Sequence, residues 1–247
     1  MTDPTRHIRH VPAQSHRTGI SPIAVQVPDL RRDPPRKRRP FGLCVHTSGR
    51  GIVKRAHRAG IDPVEFAVAY YQEAKYSAGY VIGWDGTIYQ IGSDMDRYSH
   101  IGVSAEERVR YLSGGWVDSV PTTALDLWLG HWRHCSSPQH IFPWKSANDC
   151  YLGAECIPLP HQTLHGLWYT ERQHAAVARL YLDRAKVYGW GSPDMSSGAT
   201  LPFRRLLGHE DLDAYGRWDS HGGWDPGALR AKPRFCWRTV GLYLRRG

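Results

Sequence analysis

The chain has 247 residues, with 32 Lys and Arg against 23 Asp and Glu, a formal charge of +9. Hydrophobic residues at 41%, with ten Trp and thirteen Tyr, supply enough apolar mass for a sizeable core, which excludes wholesale disorder. The longest apolar runs fall far short of a bilayer span, so no transmembrane helix is expected. No apolar stretch follows the first basic residues, so no secretory signal is expected either.

The charge is unevenly placed. Residues 1–41 hold nine basic groups (Arg6, Arg9, Arg17, Arg31, Arg32, Arg36, Lys37, Arg38, Arg39) and three acidic ones (Asp3, Asp29, Asp33), about two-thirds of the net excess. Residues 1–40 therefore read as a basic, Pro-rich extended arm, either a docking segment or a solvated tail. Residues 41–247 read as the folded domain. The five cysteines (Cys44, Cys135, Cys150, Cys156, Cys236) show no C-x-x-C spacing and are odd in number. They are expected to be mostly reduced packing residues, with Cys150 and Cys156 the one pair close enough to suspect.

After Pro40 the elements follow in order. Phe41 to His46 is a short apolar run, expected as a buried strand that delivers a histidine at its C-terminal edge. Asp62-Pro63-Val64-Glu65 opens a helix running to about Lys75, with Asp as N-cap and Pro at the first helical position. Tyr80 to Gln90 is two short β runs around Asp85-Gly86, a hairpin signal. Residues 103–150 are less regular and rich in Trp. Tyr151 to Ile157 reads as a core strand carrying one carboxylate, Glu155. Thr170-Glu-Arg-Gln173 is a capping box that opens a helix to about Tyr188. Leu206-Leu-Gly-His209 is a short strand or turn ending in His, and Trp224-Asp225-Pro226-Gly227 closes a Gly-rich stretch. Strands alternating with capped helices predict an α/β fold, a central mixed β-sheet flanked by helices.

A catalytic zinc site needs three N, O or S ligands and an open position. His46 and His209 each terminate an apolar run, and Asp225 sits in a loop stiffened by Pro226. Glu155 inside an apolar strand is costly unless it faces a cleft and takes protons. Spacing alone does not separate a ligand from a packed histidine in a chain with fourteen of them.

The order of the pieces adds to this. Cys44-Val-His46-Thr47, the Tyr80–Gln90 hairpin, Ser99-His100-Ile-Gly102, Leu152-Gly-Ala-Glu155, Tyr169-Thr-Glu-Arg-Gln173, Leu207-Gly-His209-Glu-Asp-Leu212 and Trp224-Asp-Pro-Gly227 stand in one sequence. Together, over about residues 41–237, the chain resembles the zinc-dependent N-acetylmuramoyl-L-alanine amidases, the group of short phage amidases and peptidoglycan recognition proteins. The resemblance implies His46, His209 and Asp225 as Zn²⁺ ligands and Glu155 as the acid/base. The bond cleaved would be the amide joining N-acetylmuramic acid to L-alanine in peptidoglycan. It also puts His100 on the cleft, as a substrate contact or a support for the ligands.

There are departures from the family pattern. Gly223 stands where members often carry Lys, so the oxyanion partner is expected from His221, Arg217 or the Trp218 indole. Ala78 stands where some phage members have Tyr, which points to the subgroup that uses the strand Glu. The missing Lys equivalent also admits a non-catalytic peptidoglycan-binding module on the same fold. His131, His134 and Cys135 could chelate a metal, but no fourth ligand has matching spacing. That cluster reads instead as part of an aromatic-rich insert at about 103–150, whose Trp residues could line the groove or simply pack.

The basic arm invites a nucleic-acid reading, but residues 1–40 contain no Phe, Tyr or Trp for base stacking. No specific nucleic-acid partner is expected. Delivery as a phage endolysin, as a virion or injection-particle component docked through residues 1–40, or as a cytoplasmic recycling enzyme all fit.

Overall fold

The computed structural model describes residues 19–30, 35–36, 39–74, 77–100, 148, 151–159, 169–190, 205–209 and 235–247. The strands are Val25–Val27 (β1), Gly42–Thr47 (β2), Tyr80–Ile82 (β3), Ile88–Ile91 (β4), Tyr151–Cys156 (β5) and Leu206–Gly208 (β6). The helices are Gly49–Ala59 (α1), Pro63–Glu73 (α2), Glu171–Tyr188 (α3) and Trp237–Leu244 (α4). The predicted insert at 103–150, apart from residue 148, and the Gly-rich stretch with Arg217, Trp218, His221, Gly223 and Asp225 lie outside the described residues, as do His131, His134 and Cys135.

Local chemistry accounts for the element ends. The Asp62 carboxylate accepts from the Val64 and Glu65 amides, and Pro63 occupies the first turn of α2, where a missing N–H costs nothing. Thr170 and Gln173 form a reciprocal capping box at the start of α3. Gly60 and Gly189 end α1 and α3 in the left-handed conformation. The Asp85 carboxylate accepts from the Thr87 amide and hydroxyl, closing the β3–β4 turn with Gly86 at φ 84°.

The six strands form one mixed sheet, as the α/β reading predicts, in the order β1-β4-β3-β5-β2-β6. β4 runs antiparallel to β3, and the remaining neighbours are parallel. Alternation along the strands divides the two faces. Leu43, Val45, Tyr80, Ile82, Leu152, Ala154 and Leu206 share a core with α3 and α4. Val81, Val27 and Ile91 pack on the opposite face with α1 and α2 residues such as Ile52 and Val68. Cys44, His46, Gly153 and Glu155 alternate with the first set, so they belong to that second face.

Gly42 sets the spacing of β2 and β6. A Cβ there would lie 2.4 Å from the Arg205 carbonyl oxygen, and the Leu43 amide donates to that same oxygen at 2.7 Å. Only a residue without a side chain admits this approach.

Part of the basic leader is built into the domain. β1 pairs with β4, and the Leu30 amide donates to the Gln72 carbonyl. The buried Arg36 guanidinium donates to the carbonyls of Asp94, Asn148 and Tyr151. It thereby joins the leader, the loop after β4 and the start of β5.

A second buried charge cluster ties α3 to the sheet. Arg184 donates to Asp94 at 2.7 Å and to Asp183 at 2.6 Å. The Tyr188 hydroxyl donates to the same Asp94 oxygen, and the Tyr80 hydroxyl donates to the other. Ser21, from the leader, donates to Asp183.

Candidate metal and catalytic site

Three adjacent parallel strands, β6, β2 and β5, end at the same edge of the sheet. His46 is the fifth residue of β2, and its Cα partner across β5 is Glu155. Val45 pairs with Gly208, so His209, the next residue after β6, falls beside His46. The two imidazoles meet edge to face with centroids 4.5 Å apart. Paired residues of parallel strands point the same way, so the carboxylate flanks the histidine pair. The carboxyl ends of parallel strands are where ligands commonly bind in such sheets.

His100 approaches from the loop after β4. Its Nδ1 lies 2.9 Å from His46 Nε2, and its Nε2 lies 3.0 Å from the Tyr151 carbonyl. The two rings stand nearly perpendicular, with an interplanar angle of 83°. The His100 amide donates to the Asn148 side chain. Its ring rests against β5 at Gly153, where a Cβ would come within 2.6 Å of Cγ and Nδ1. All four groups are buried, with His46, His209, His100 and Glu155 exposed by 2%, 1%, 8% and 9%. Burial, aided by the nearby Arg36 charge, holds the His100 pKa down at about 3 despite the carbonyl hydrogen bond. The ring is therefore neutral at physiological pH.

The donor chemistry suits zinc. Neutral imidazole nitrogens, a carboxylate and a thiol are the groups that bind this ion. Among the described residues, Cys44, His46 and His100 each offer a ligand atom, and these atoms lie within 4.8 Å of one another. His209 adds a further imidazole on the other side of His46.

A family model for N-acetylmuramoyl-L-alanine amidase matches residues 36–228. The chain belongs to the N-acetylmuramoyl-L-alanine amidase family. No curated protein and no solved structure matches it. The match supports a peptidoglycan amidase in general terms, and its span includes His46, His100, Glu155, His209 and Asp225. No helix among the described residues of this amidase is long and apolar enough to cross a membrane.

The amidase fold thus brings together four of the residues singled out in the sequence: His46, His209, Glu155 and His100. Asp225, His221, Arg217 and Trp218 lie outside the described residues. The sequence reading places Cys44 among cysteines that mostly pack, rather than at the site. The signal for it was present, since Cys44 and His46 are two apart on one strand and must share a face. Cys156 is not disulfide-bonded, so the suspected Cys150–Cys156 pairing is not formed.

Proposed function

We propose that this chain is a zinc-dependent amidase cleaving the bond between N-acetylmuramic acid and L-alanine. The observation that carries this reading is the alignment of His209, His46 and Glu155 on three neighbouring strand ends, within a chain of the amidase family. His46, His209 and, from the sequence pattern, Asp225 would hold the ion. Zinc bound there supplies Lewis acidity, which polarises the scissile carbonyl and acidifies water.

The chain's own groups do the rest. Glu155 sits one strand away from His46, at the spacing of neighbouring strands, about 4.8 Å between backbones. From there its carboxylate accepts a proton from the attacking water and returns it to the departing L-alanine nitrogen. The buried walls exclude bulk water, which strengthens every charge interaction at the edge. His221, Arg217 or Trp218 would stabilise the developing oxyanion in place of a basic residue at Gly223.

Zinc content of purified wild type, His46→Ala and His209→Ala tests the ligand set. The reading expects one zinc per wild-type chain and strong loss in both variants. Equal content in all three would refute it. A zinc-loaded protein that binds peptidoglycan without releasing peptides would support the alternative, a binding module that has lost turnover with the Lys equivalent at Gly223.

Residues 1–40 would dock the enzyme on a phage particle, an injection machine or the envelope. Because β1 and Arg36 are part of the fold, the clean test removes residues 1–18 alone. Hydrolysis in solution should survive and particle or envelope association should fall. Unchanged association would refute the docking role of that segment.

A further inference from the structure

We infer that His100, seated on Gly153 and held by the Tyr151 carbonyl, fixes His46 as its Nε2–H tautomer and so presents the His46 Nδ1 lone pair to the metal. This makes His100 a positioning residue rather than a substrate contact, and it rests on the reading of His46 as a zinc ligand.

A backbone carbonyl can only accept, so the His100 nitrogen 3.0 Å from Tyr151 O carries the hydrogen, and that nitrogen is Nε2. A neutral imidazole then has a lone pair on Nδ1. His46 Nε2, 2.9 Å away, must donate into that lone pair. Two acceptors facing each other in a buried site would cost the desolvation of both. In the neutral ring the remaining nitrogen of His46, Nδ1, is then the unprotonated one, which is the form a metal requires. Ligating histidines are ordinarily fixed this way by a carboxylate or a carbonyl. Here the carbonyl acts at one remove, through a second imidazole.

Gly153 is what lets this arrangement exist. Every neighbouring position of β5 carries a side chain, and a Cβ at 153 would overlap the His100 ring at 2.6 Å. The ring also cannot reach substrate through either nitrogen, since both are engaged within the protein. This accounts for a histidine at the site edge that is 8% exposed.

The first test is made on metal-free protein. Long-range ¹H–¹⁵N imidazole spectra at neutral pH, with His46→Gln used for assignment, should show both His46 and His100 protonated at Nε2. A proton on Nδ1 of either ring would overturn the inference. The second test compares zinc affinity. His100→Leu should weaken binding roughly 10–100-fold, the usual effect of losing such a supporting partner. His100→Asn, whose Oδ1 replaces the Nδ1 acceptor, should recover most of it. Gly153→Ala should resemble His100→Leu although every chemistry-bearing side chain remains. Affinity within twofold of wild type in His100→Leu would overturn the inference.

Cobalt-loaded protein separates the remaining possibility. Loss of one imidazole donor from the cobalt ligand-field spectrum in His100→Asn would make His100 a direct ligand beside His46 and would overturn the positioning role; an unchanged donor set in that variant would support it. Failure of the zinc reading is distinguishable, because a wild type that binds no zinc still reports the His46 tautomer.

Discussion

Replacing Arg184 by Met removes one buried cation and leaves its partner behind. The Arg184 and Asp94 side chains are both fully buried, and their ion pair spans 2.7 Å. Burial pushes the Asp94 carboxyl up, and the Arg184 guanidinium is the main force bringing it back. Without the guanidinium, Asp94 must stay charged in an apolar interior or take a proton. Breaking a buried pair in this way costs about 3–5 kcal/mol, a large part of the roughly 5–15 kcal/mol that holds a domain together. For a chain of this size the melting temperature should fall by roughly 6–20 °C. Pairing Arg184→Met with Asp94→Asn should return part of that loss. An Asn oxygen still accepts from one of the Tyr80 and Tyr188 hydroxyls, and its amide can donate to the other. Chemical denaturation of wild type, both single variants and the double variant gives the coupling energy. A loss under about 1 kcal/mol in Arg184→Met, or additivity within about 0.5 kcal/mol, would refute the reasoning.

Three further outcomes are expected. His174 is buried, its Nδ1 donates to the Thr170 carbonyl and its Nε2 accepts from the Cys236 amide. Burial lowers its pKa, as it lowers that of His100 to about 3. Both groups bind protons more readily unfolded, so their stability is present above about pH 6.5 and is lost as pH falls. For metal-free protein, urea midpoints at pH 7 and pH 5 should reveal a loss of about 2 kcal/mol from His100 alone; equal stability at the two pH values would contradict the assignment. Thr170→Ala removes the α3 cap and should cost about 1 kcal/mol in the same assay, without changing zinc content. Gly42→Ala drives a Cβ into the Arg205 carbonyl, so β6 must move away from β2, and zinc binding should weaken with stability because His209 rides on β6. Retained zinc affinity in that variant would show that His209 is placed by something else.

The parts of the fold that sequence made legible are those with a local chemical cause. The Asp62-Pro63 start of α2, the Thr170–Gln173 box of α3 and the Asp85-Gly86 turn are short-range devices, and each element stands where its signal placed it. The elements that escaped are set by tertiary contacts. β1 is three residues in a Pro-rich leader and exists because β4 offers an open edge. α1 is rich in basic residues, with Ile52, Val53 and Ala56 turned inward. α4 spans eight residues, too few to show a period, and is held by packing on α3. At the site, strand-end histidines and a strand carboxylate are visible in the apolar runs, but the resemblance to the amidase family is what singles out, among the fourteen histidines and the other acidic residues, His46, His209 and Glu155. That they are neighbours is a matter of strand order, β5-β2-β6, which no local pattern encodes. The role of Gly153 was hidden for the same reason, since its partner His100 lies more than fifty residues away in sequence.

The most direct measurement is digestion of purified peptidoglycan with mass analysis of the products, wild type against Glu155→Gln. The account predicts that wild type releases stem peptides with a free N-terminal L-alanine and leaves the glycan strands intact. Glu155→Gln should keep its zinc and release none. Cleavage at another bond, or undiminished release by Glu155→Gln, would contradict the assignment of this edge of the sheet as the amidase active site.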